Sequence, residues 1–346
     1  MLSKGFKIVS PKTFEIDIEY IESKKNEAII RIDYAAICKA DLRYYLGNRE
    51  ERILGLKYPM RLIHEAVGTV LKDQSGKFKV GDKVILVPNI CNCDECDFEH
   101  ISDKALGANY CPKAKFASSN YDGFSSECIS YPIKNLVKYD ENIPGEIAVY
   151  SELISVAMAA IRRIDTLENK NIGIWGDGIV GYILAHVIKM MNKNCKVTCI
   201  GKNEEKLNKF KVDQTLLIND SKLEKNKFDL LFECVGGKFS GNAINQMIEC
   251  ARFGADIVLT GVSEDGALIN TRRILEKAVR ITGSTRSTIE DFERSSNALN
   301  NEEFRNILKK VILSKNKVED ISDYYKVFER ESKNTALGKH IMRFMI

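Results

Sequence analysis

The sequence predicts an α/β fold in which a β-rich domain precedes a doubly wound domain built on a parallel sheet. Residues 1–150 contain short β-rich runs separated by turn residues, whereas strand-like and helix-like segments alternate from residue 151 onward. Such alternation is typical of a parallel sheet with helices on both faces. A chain of 346 residues is also long enough to form two hydrophobic cores.

Composition and charge indicate a folded protein that neither spans a membrane nor binds nucleic acid. Hydrophobic residues make up 44% of the chain, charged residues 29%, and the formal net charge is +4. This small positive excess is scattered, whereas nucleic-acid binders concentrate basic residues on one face. No apolar run is long enough to span a bilayer, and the first residues lack the apolar core of a signal peptide. We therefore expect a cytoplasmic protein.

The first domain is predicted over residues 1–150. Its β-rich segments are predicted at residues 28–32, 66–71 and 83–88. These segments are rich in Val, Ile and Ala, which suit a half-buried strand. The pair Gly81-Asp82 before the third segment is a typical turn signal.

The second domain is predicted over residues 151–287 and opens with a helix at 151–163, where apolar residues recur at helical spacing. Further strands are predicted at residues 171–175, 196–200, 230–235, 256–260 and 279–283. The helices between them are predicted at residues 179–191, 204–211, 243–251 and 271–276. The remaining segment, 288–346, is charged and amphipathic and ends in a strand-like run, so we expect it to return to the first domain.

A glycine-rich turn links the strand at 171–175 to the following helix. Gly176, Gly178 and Gly181 form G-x-G-x-x-G, which follows that strand and opens an apolar helix, and this is the context of a dinucleotide-binding turn. In such a turn the first glycine allows the tight bend, the second lets the backbone approach a pyrophosphate, and the third allows close helix–strand packing. The unpaired amides at the helix start then bind the anion. The alternative is a structural turn with coincidental glycines.

The end of the next strand favours a phosphorylated cofactor. A fold that binds NAD usually carries an acidic residue there, which accepts a hydrogen bond from the ribose 2′-hydroxyl. This chain instead has Gly201-Lys202-Asn203, with Lys206 further along. A missing carboxylate and two lysines favour the 2′-phosphate of NADPH. The alternative is that Lys202 and Lys206 are ordinary solvated residues.

A cysteine and a histidine in the first domain are candidate metal ligands. Cys38 follows a predicted strand, and His64 is followed directly by Glu65. One thiolate, one imidazole and carboxylates can hold zinc in a four-coordinate site that leaves a position for water or substrate. Taken singly, such residues are more often structural. Glu152, near the start of the helix predicted at 151–163, is by itself typical of a carboxylate that interacts with a helix dipole.

Four further cysteines form a second candidate metal site. Cys91, Cys93 and Cys96 have the spacing C-x-C-x-x-C, and Cys111 follows later in the chain. Four thiolates would close a structural zinc site around a loop that has little core of its own. The spacing between Cys91 and Cys93 is shorter than usual for zinc ligands, and the spacing between Cys96 and Cys111 is long. His100 as a replacement ligand, a disulfide pair and unligated thiols therefore all stay open.

Taken in order, these motifs resemble those of the zinc-dependent medium-chain dehydrogenases. The ordered set is Cys38-x-x-Asp41, His64-Glu65 with Gly68, Gly81-Asp82-Lys83-Val84, Cys111-Pro112, Asp122-Gly123-Phe124, Glu152 and the glycine-rich turn. The segments around Cys111 and Glu152 look most similar to the sorbitol (polyol) dehydrogenase branch. Within that branch, several stretches resemble the ribulose-5-phosphate reductases, which make ribitol 5-phosphate for CDP-ribitol and teichoic acid. These stretches are residues 40–45, 62–65, 173–178, 232–237, 243–248 and 261–264.

The resemblance implies a fold and a set of ligands. The fold is a GroES-like β domain, split in sequence, that clasps a Rossmann domain, with the active site in the cleft and with dimers or tetramers common. A catalytic zinc is implied on Cys38, His64 and, as in polyol-type enzymes, Glu65 and Glu152, directly or through water. A structural zinc is implied on the four-cysteine lobe. The family usually carries Ser or Thr two residues after the cysteine ligand as a proton relay, whereas this chain has Ala40.

The resemblance also implies a reaction, the reduction of D-ribulose 5-phosphate to D-ribitol 5-phosphate with NADPH. A ribitol-5-phosphate cytidylyltransferase is then the expected functional partner, and a homodimer the expected assembly. Lys39, Arg43 and Arg286 are candidate cations for the substrate phosphate, since arginine can bind phosphate through two parallel hydrogen bonds. Each of the three is individually more typical of a surface or salt-bridged residue.

Two other functions stay open at this point. One is an NAD(P)-dependent dehydrogenase of an unphosphorylated polyol such as sorbitol or xylitol. The other is a non-catalytic zinc-bearing protein whose cysteine lobe contacts a partner. A non-catalytic protein has no need for an ordered set of ligands in a cleft, so Cys38, His64 and Glu152 together count against the second function.

Overall fold

A computed structural model describes residues 1–91, 106–264 and 266–346, and the chain divides into two compact units. The first unit comprises Met1–Ser155 and Arg286–Ile346, and the second comprises Val156–Thr285. The domain limits 1–150, 151–287 and 288–346 stay predictions. Among the residues described, no helix is long and apolar enough to cross a lipid bilayer.

The helices and strands are numbered along the whole chain. The strands are β1 (Leu2–Ser10), β2 (Thr13–Tyr20), β3 (Glu27–Ala36), β4 (Met60–Arg61), β5 (Glu65–Asp73), β6 (Lys83–Leu86), β7 (Asn89–Ile90), β8 (Lys115–Phe116), β9 (Cys128–Pro132), β10 (Leu136–Lys138), β11 (Asn171–Trp175), β12 (Lys196–Gly201), β13 (Gln214–Leu217), β14 (Phe228–Glu233), β15 (Ala251–Leu259), β16 (Arg280–Gly283), β17 (Ile312–Val318) and β18 (Lys339–Phe344). The helices are α1 (Lys39–Leu46), α2 (Glu51–Lys57), α3 (Gly145–Ala148), α4 (Ser151–Ile161), α5 (Ile179–Met191), α6 (Glu204–Leu207), α7 (Lys222–Lys225), α8 (Ser240–Cys250), α9 (Thr271–Lys277), α10 (Ile289–Ala298), α11 (Glu302–Lys309) and α12 (Ile321–Ser332).

The first unit is built mainly of antiparallel strands. Its largest sheet has the order β10-β6-β5-β3-β18-β17, and β9 also pairs with β3. Smaller sheets are formed by β2-β1-β4 and by β7-β8. Aromatic side chains fill the core beside the first hairpin, where the ring of Phe14 contacts those of Tyr45, Tyr324 and Phe328. That hairpin, β1 and β2, was not among the predicted elements.

The second unit contains a six-stranded parallel sheet in the order β13-β12-β11-β14-β15-β16. This is the strand order of a doubly wound nucleotide-binding fold, in which ligands bind beyond the carboxyl ends of the strands where the order reverses. Here the reversal lies between β11 and β14. The predicted parallel sheet is confirmed, and α5 has the predicted bounds.

The second unit differs from the predicted elements most clearly between β12 and β14. The helix predicted over 204–211 ends at Leu207. Beyond it the amides of Lys209 and Phe210 bond to carbonyls three residues back, and the amide of Lys211 donates to Nε2 of His186 at 3.2 Å. Strand β13 was not predicted. With four residues it is too short to show a clear alternation of polar and apolar side chains.

Candidate active site

The candidate metal ligands of the first unit lie where three strands begin or end. β3 ends at Ala36, β5 begins at Glu65 and β18 begins at Lys339. The registers pair Ala36 with Glu65 on one side and with β18 on the other. Cys38 follows β3 directly at the start of α1, and His64 immediately precedes β5. The antiparallel pairing therefore gathers residues that are distant in sequence at one edge of the sheet.

Three potential ligand atoms converge at this edge. The sulfur of Cys38, a ring nitrogen of His64 and a carboxylate oxygen of Glu65 lie within 4.8 Å of one another. His64 and Glu65 are buried, and Cys38 is half-buried. Thiolate, imidazole and carboxylate together form a donor set that zinc binds well. The residues therefore fit a zinc ion by their chemistry and their proximity.

Asp41 lies behind the imidazole of His64. Its fully buried Oδ1 is 3.3 Å from Nδ1 of His64, close enough for an ion pair. The geometry is not that of a hydrogen bond, and among the described residues this buried nitrogen has no hydrogen-bond partner. The Asp41 carboxylate is itself fixed, because it accepts from the amide of Cys38 at 2.9 Å and from the hydroxyl of Ser118. Asp41 was part of the motif at Cys38, but its contact with His64 was not predicted.

The charges of Asp41 and His64 stabilise each other. Burial disfavours the charged form of either group. The neighbouring carboxylate and the Cys38 sulfur nevertheless raise the pKa of His64 well above its usual value. The imidazole and the hydrogen bonds from Ser118 and Cys38 in turn lower the pKa of Asp41. Such carboxylate–histidine pairs orient metal-binding imidazoles in proteins.

Glu65 has a buried counter-ion that the sequence analysis did not identify. Its two carboxylate oxygens accept hydrogen bonds from Nζ of Lys339 at 2.6 and 2.8 Å, and the same ammonium donates to the carbonyl of Ile37 at 2.9 Å. Burial lowers the pKa of Lys339, but attraction to Glu65 and Cys38 outweighs it and raises the pKa overall. A carboxylate has about four lone-pair sites, so this pairing leaves acceptor capacity on Glu65 for a metal.

Glu152 lies close to this group without being part of it. It stands in the first turn of α4, is 8% exposed, and is not among the residues whose ligand atoms lie within 4.8 Å of one another. Burial raises the pKa of Glu152 to about 7. The positive charges of His64 and Lys339 oppose this rise, whereas the carboxylates of Glu65 and Asp41 add to it.

The three candidate phosphate-binding cations have different surroundings. Lys39 is exposed at the first position of α1, and Arg43 is half-buried on the same helix. Arg286 is half-buried, and its Cζ lies 5.3 Å from the centroid of the Phe116 ring. The centroid of that ring is in turn 5.4 Å from the centroid of the His64 imidazole. The Phe116 ring thus contacts both Arg286 and the candidate metal ligand His64.

The glycine-rich turn follows β11 in the second unit. Gly176 has a φ of 130°, and a Cβ at Gly181 would lie 2.2 Å from the Gly176 carbonyl oxygen, so both positions require glycine. Gly178 caps the N-terminus of α5, and a Cβ there would meet no atom within 4 Å. The backbone at the start of α5 is therefore open to a ligand, and helix amides at such a position bind anions.

The end of β12 has no acidic residue of its own, but Asp177 brings a carboxylate to it from the neighbouring turn. Oδ2 of Asp177 accepts hydrogen bonds from the amides of Lys202 and Asn203, each at 2.8 Å. Gly201 permits this approach, because a Cβ there would lie 2.6 Å from Cβ of Asp177. Lys202 is exposed and Lys206 half-buried in the same turn. The sequence analysis did not assign Asp177 a role.

The predicted structural zinc site lies largely outside the described residues. Cys93, Cys96 and the alternative ligand His100 fall within residues 92–105. Cys91, which is half-buried, and Cys111, which is 2% exposed, lie on either side of that segment. The four-cysteine site therefore stays a prediction.

Comparison with known proteins defines the class of protein. Residues 24–141 match the alcohol dehydrogenase GroES-like domain, and residues 180–301 match the zinc-binding dehydrogenase domain. The β-rich first unit and the doubly wound sheet of the second agree with these matches. The predicted combination of a GroES-like and a Rossmann domain is confirmed, and the protein is an oxidoreductase of the zinc-binding alcohol dehydrogenase class.

Individual relatives identify a narrower family within this class. Ribulose-5-phosphate reductase 1 of Staphylococcus aureus is 36% identical over 353 residues, which cover 100% of both chains. The ribulose-5-phosphate reductase of Streptococcus pneumoniae is 36% identical over 97% of this chain and 96% of that enzyme. The crystal structure of S. aureus TarJ in complex with NADPH matches with a TM-score of 0.87 and 33% identity, over 100% of both chains. The chain belongs to the ribulose-5-phosphate reductase family, as its motifs suggested.

Proposed function

We propose that this protein reduces D-ribulose 5-phosphate to D-ribitol 5-phosphate with NADPH, for the synthesis of CDP-ribitol and cell-wall teichoic acid. The proposal depends above all on the convergence of Cys38, His64 and Glu65 in a chain that is 36% identical over its full length to a ribulose-5-phosphate reductase. The named activity of that relative supplies the substrate. The NADPH in the S. aureus TarJ crystal structure supports the cofactor.

Four residues of the first unit are proposed to hold the catalytic zinc. These are Cys38 and His64, with Glu65 and Glu152 binding directly or through water. Zinc bound there is a Lewis acid that stabilises negative charge on a carbonyl oxygen. The chain itself keeps the ligands oriented, since Asp41 lies against His64.

Two features of the chain shape the chemistry around that ion. The ammonium of Lys339 is within hydrogen-bond distance of both Glu65 oxygens, so it balances part of the negative charge of the thiolate and the carboxylates. Ala40 has no hydroxyl group, so it cannot relay a proton from the position that the family uses. The proton that completes the alcohol must therefore come from another group of the site.

The cofactor is proposed to bind to the second unit. Gly176, Gly178 and Gly181 would hold the pyrophosphate at the open start of α5, and Lys202 and Lys206 would bind the 2′-phosphate. NADPH supplies the hydride, whereas the protein supplies binding and orientation. This assignment is supported by the open space at Gly178 and by the two lysines that follow β12, whose own last residue, Gly201, is not acidic.

Replacing Lys202 and Lys206 together by alanine is expected to raise the Kd for NADPH about tenfold or more, because hydrogen bonds to charged groups contribute about 1.5–3 kcal/mol each. The Kd for NADH should change little, since NADH carries no 2′-phosphate. Titration of both nucleotides into the protein measures the two constants. A double alanine variant at Lys222 and Lys225, exposed on α7, removes the same charge and serves as control. Equal weakening of both nucleotides would contradict the assignment.

The proposal also includes a structural zinc site, a phosphate-binding residue, a cellular location, an assembly and a set of domain limits. Cys91, Cys93, Cys96 and Cys111 would hold a structural zinc, and Lys39, Arg43 or Arg286 would meet the substrate phosphate. The enzyme would act in the cytoplasm as a homodimer and pass ribitol 5-phosphate to a cytidylyltransferase. Its domains would be a catalytic domain at 1–150, a nucleotide-binding domain at 151–287 and a returning segment at 288–346.

An assay of the purified protein with ribulose 5-phosphate tests the proposed function. We expect rapid oxidation of NADPH with formation of ribitol 5-phosphate, and much slower turnover when free ribulose replaces the phosphorylated substrate or NADH replaces NADPH. Removal of zinc by a chelator should abolish turnover, and added zinc should restore it. Efficient oxidation of sorbitol or xylitol with NAD, without reduction of ribulose 5-phosphate, would overturn the proposal in favour of a polyol dehydrogenase.

A further inference from the structure

We infer that Arg286, held against Phe116, is the anchor for the phosphate group of the substrate. The inference rests on the proposed function, because it assigns a residue to the phosphomonoester that distinguishes ribulose 5-phosphate from a free sugar. It selects one residue from the three cations that the sequence offered, and it adds Phe116 as the residue that positions the guanidinium.

Arg286 is a partly buried cation that lacks an anionic partner. Within the described ranges its guanidinium forms neither an ion pair nor a hydrogen bond, and burial lowers the pKa of Arg286 with no carboxylate to oppose the effect. Arg61, another buried arginine of the same unit, pairs instead with Asp17 and Glu19. Removing a charge from water without a partner is unfavourable. The surroundings of Arg286 therefore indicate a site for a bound anion.

The backbone holds Arg286 in a conformation that few side-chain-bearing residues adopt. Its φ is 58°, and such strain is concentrated at functional sites, where the surrounding structure enforces it. The enforcement is visible in the next two residues. The hydroxyl of Ser287 lies 2.8 Å from that of Ser155 on α4, and the side chain of Thr288 accepts from the amide of Asp291 to cap α10.

Phe116 places the guanidinium beside the candidate metal site. Its ring contacts both residues, since the guanidinium carbon of Arg286 lies 5.3 Å from the ring centroid and the centroids of the Phe116 and His64 rings are 5.4 Å apart. The position of Phe116 is itself fixed, because its amide donates to Oδ1 of Asn120 and β8 pairs with β7. Arg286 and the proposed zinc ligand His64 thus contact the same aromatic ring. This placement of a cation near the candidate metal site suits a sugar phosphate that has its carbonyl near one end and its phosphate at the other.

A guanidinium that contacts an aromatic ring through its face can still bind phosphate. Its five N–H donors lie in the plane of the group, and that fork matches two phosphate oxygens. Lys39 is a weaker candidate for the phosphate anchor, since it is exposed and has no aromatic contact in the described part of the chain. Arg43 already makes a contact of its own. Arg286 is therefore the residue that the surroundings favour.

Equilibrium binding to an Arg286→Gln variant tests the inference. Calorimetric titration of the zinc-loaded protein with NADP⁺ present should show that the wild type binds ribitol 5-phosphate more tightly than ribitol. Arg286→Gln should weaken the binding of ribitol 5-phosphate about tenfold or more and leave that of ribitol unchanged. Arg286→Lys keeps the positive charge but loses the planar fork of donors, so its affinity for ribitol 5-phosphate should lie between those of the wild type and Arg286→Gln. Arg52→Gln, at an exposed position of α2, removes the same charge and should bind like the wild type.

Each outcome of this experiment decides the inference. It is overturned if Arg286→Gln binds ribitol 5-phosphate as the wild type does, or if the variant loses both ligands equally. Circular dichroism and thermal melting establish whether the variant folds. If it does not, the ratio of the two affinities in Arg286→Lys decides by the same criterion.

Turnover distinguishes this inference from the proposed function. If the wild type reduces ribulose 5-phosphate and Arg286→Gln does so with unchanged kcat/KM, the phosphate anchor is wrong and the function stands. If the wild type does not reduce ribulose 5-phosphate, but binding of ribitol 5-phosphate is lost in Arg286→Gln, the function is wrong and the anchor stands.

Discussion

Cys38→Ser is expected to lower kcat/KM for ribulose 5-phosphate about a thousandfold or more, because a Lewis-acidic metal contributes several kcal/mol of transition-state stabilisation. The thiolate is the softest of the proposed ligands, and a serine hydroxyl is a far weaker ligand for zinc at neutral pH. Elemental analysis should therefore show loss of zinc along with turnover. NADPH binding should persist, because the glycine-rich turn belongs to the second compact unit of the chain.

A second cysteine provides the matched control. Cys250 is a buried thiol at the end of α8 in the second unit, and Cys250→Ser should keep both zinc and turnover. A Cys38→Ser variant that retains full activity with a full complement of zinc would contradict the proposed ligand set. A variant that loses NADPH binding as well would point instead to a general loss of structure.

Lys339→Met is expected to lower the free energy of unfolding of the chelator-treated protein by about 3–5 kcal/mol. The substitution leaves the Glu65 carboxylate, which is fully buried, without its counter-ion, and it removes a donor from the carbonyl of Ile37. Breaking one half of a buried ion pair is costly because the remaining charge stays desolvated. Urea unfolding measures the change. Added zinc should reduce it, because the metal offers the carboxylate another positive partner.

Lys326→Met is the control for that experiment. Lys326 forms an exposed ion pair with Asp323 on α12, and exposed pairs contribute at most about 1 kcal/mol. The two variants remove the same charge from the same unit but differ in burial. If Lys339→Met unfolds at the same urea concentration as Lys326→Met, Lys339 is not the counter-ion that keeps Glu65 stable.

Local signals explain what the sequence could predict. Helix α5 and the turn before it could be predicted because a strand, a turn with two glycines and an apolar helix that carries the third glycine all lie within one short stretch of chain. Cys38, His64 and Glu65 were identified by residue type and by an ordered resemblance. They converge because the last residue of β3 pairs with the first residue of β5 in the antiparallel sheet.

Long-range contacts are the features that could not be predicted from the sequence. Lys339 and Glu65 are 274 positions apart, and nothing near either residue marks the other as its partner. The contact between Arg286 and Phe116 likewise joins two segments that are adjacent only in the folded unit. Sequence patterns report on burial and on periodicity along one element, whereas these pairs depend on which elements the sheet order brings together.

The close approach of Asp177 to Gly201 affects any attempt to re-engineer cofactor choice. An acidic side chain at the end of β12 would accept a hydrogen bond from the ribose 2′-hydroxyl of NADH. At position 201, however, its Cβ would lie 2.6 Å from Cβ of Asp177. It would also place two carboxylates side by side, where the present turn has one carboxylate held by two amides. Redesign of cofactor choice at this turn therefore requires changes at both Asp177 and Gly201.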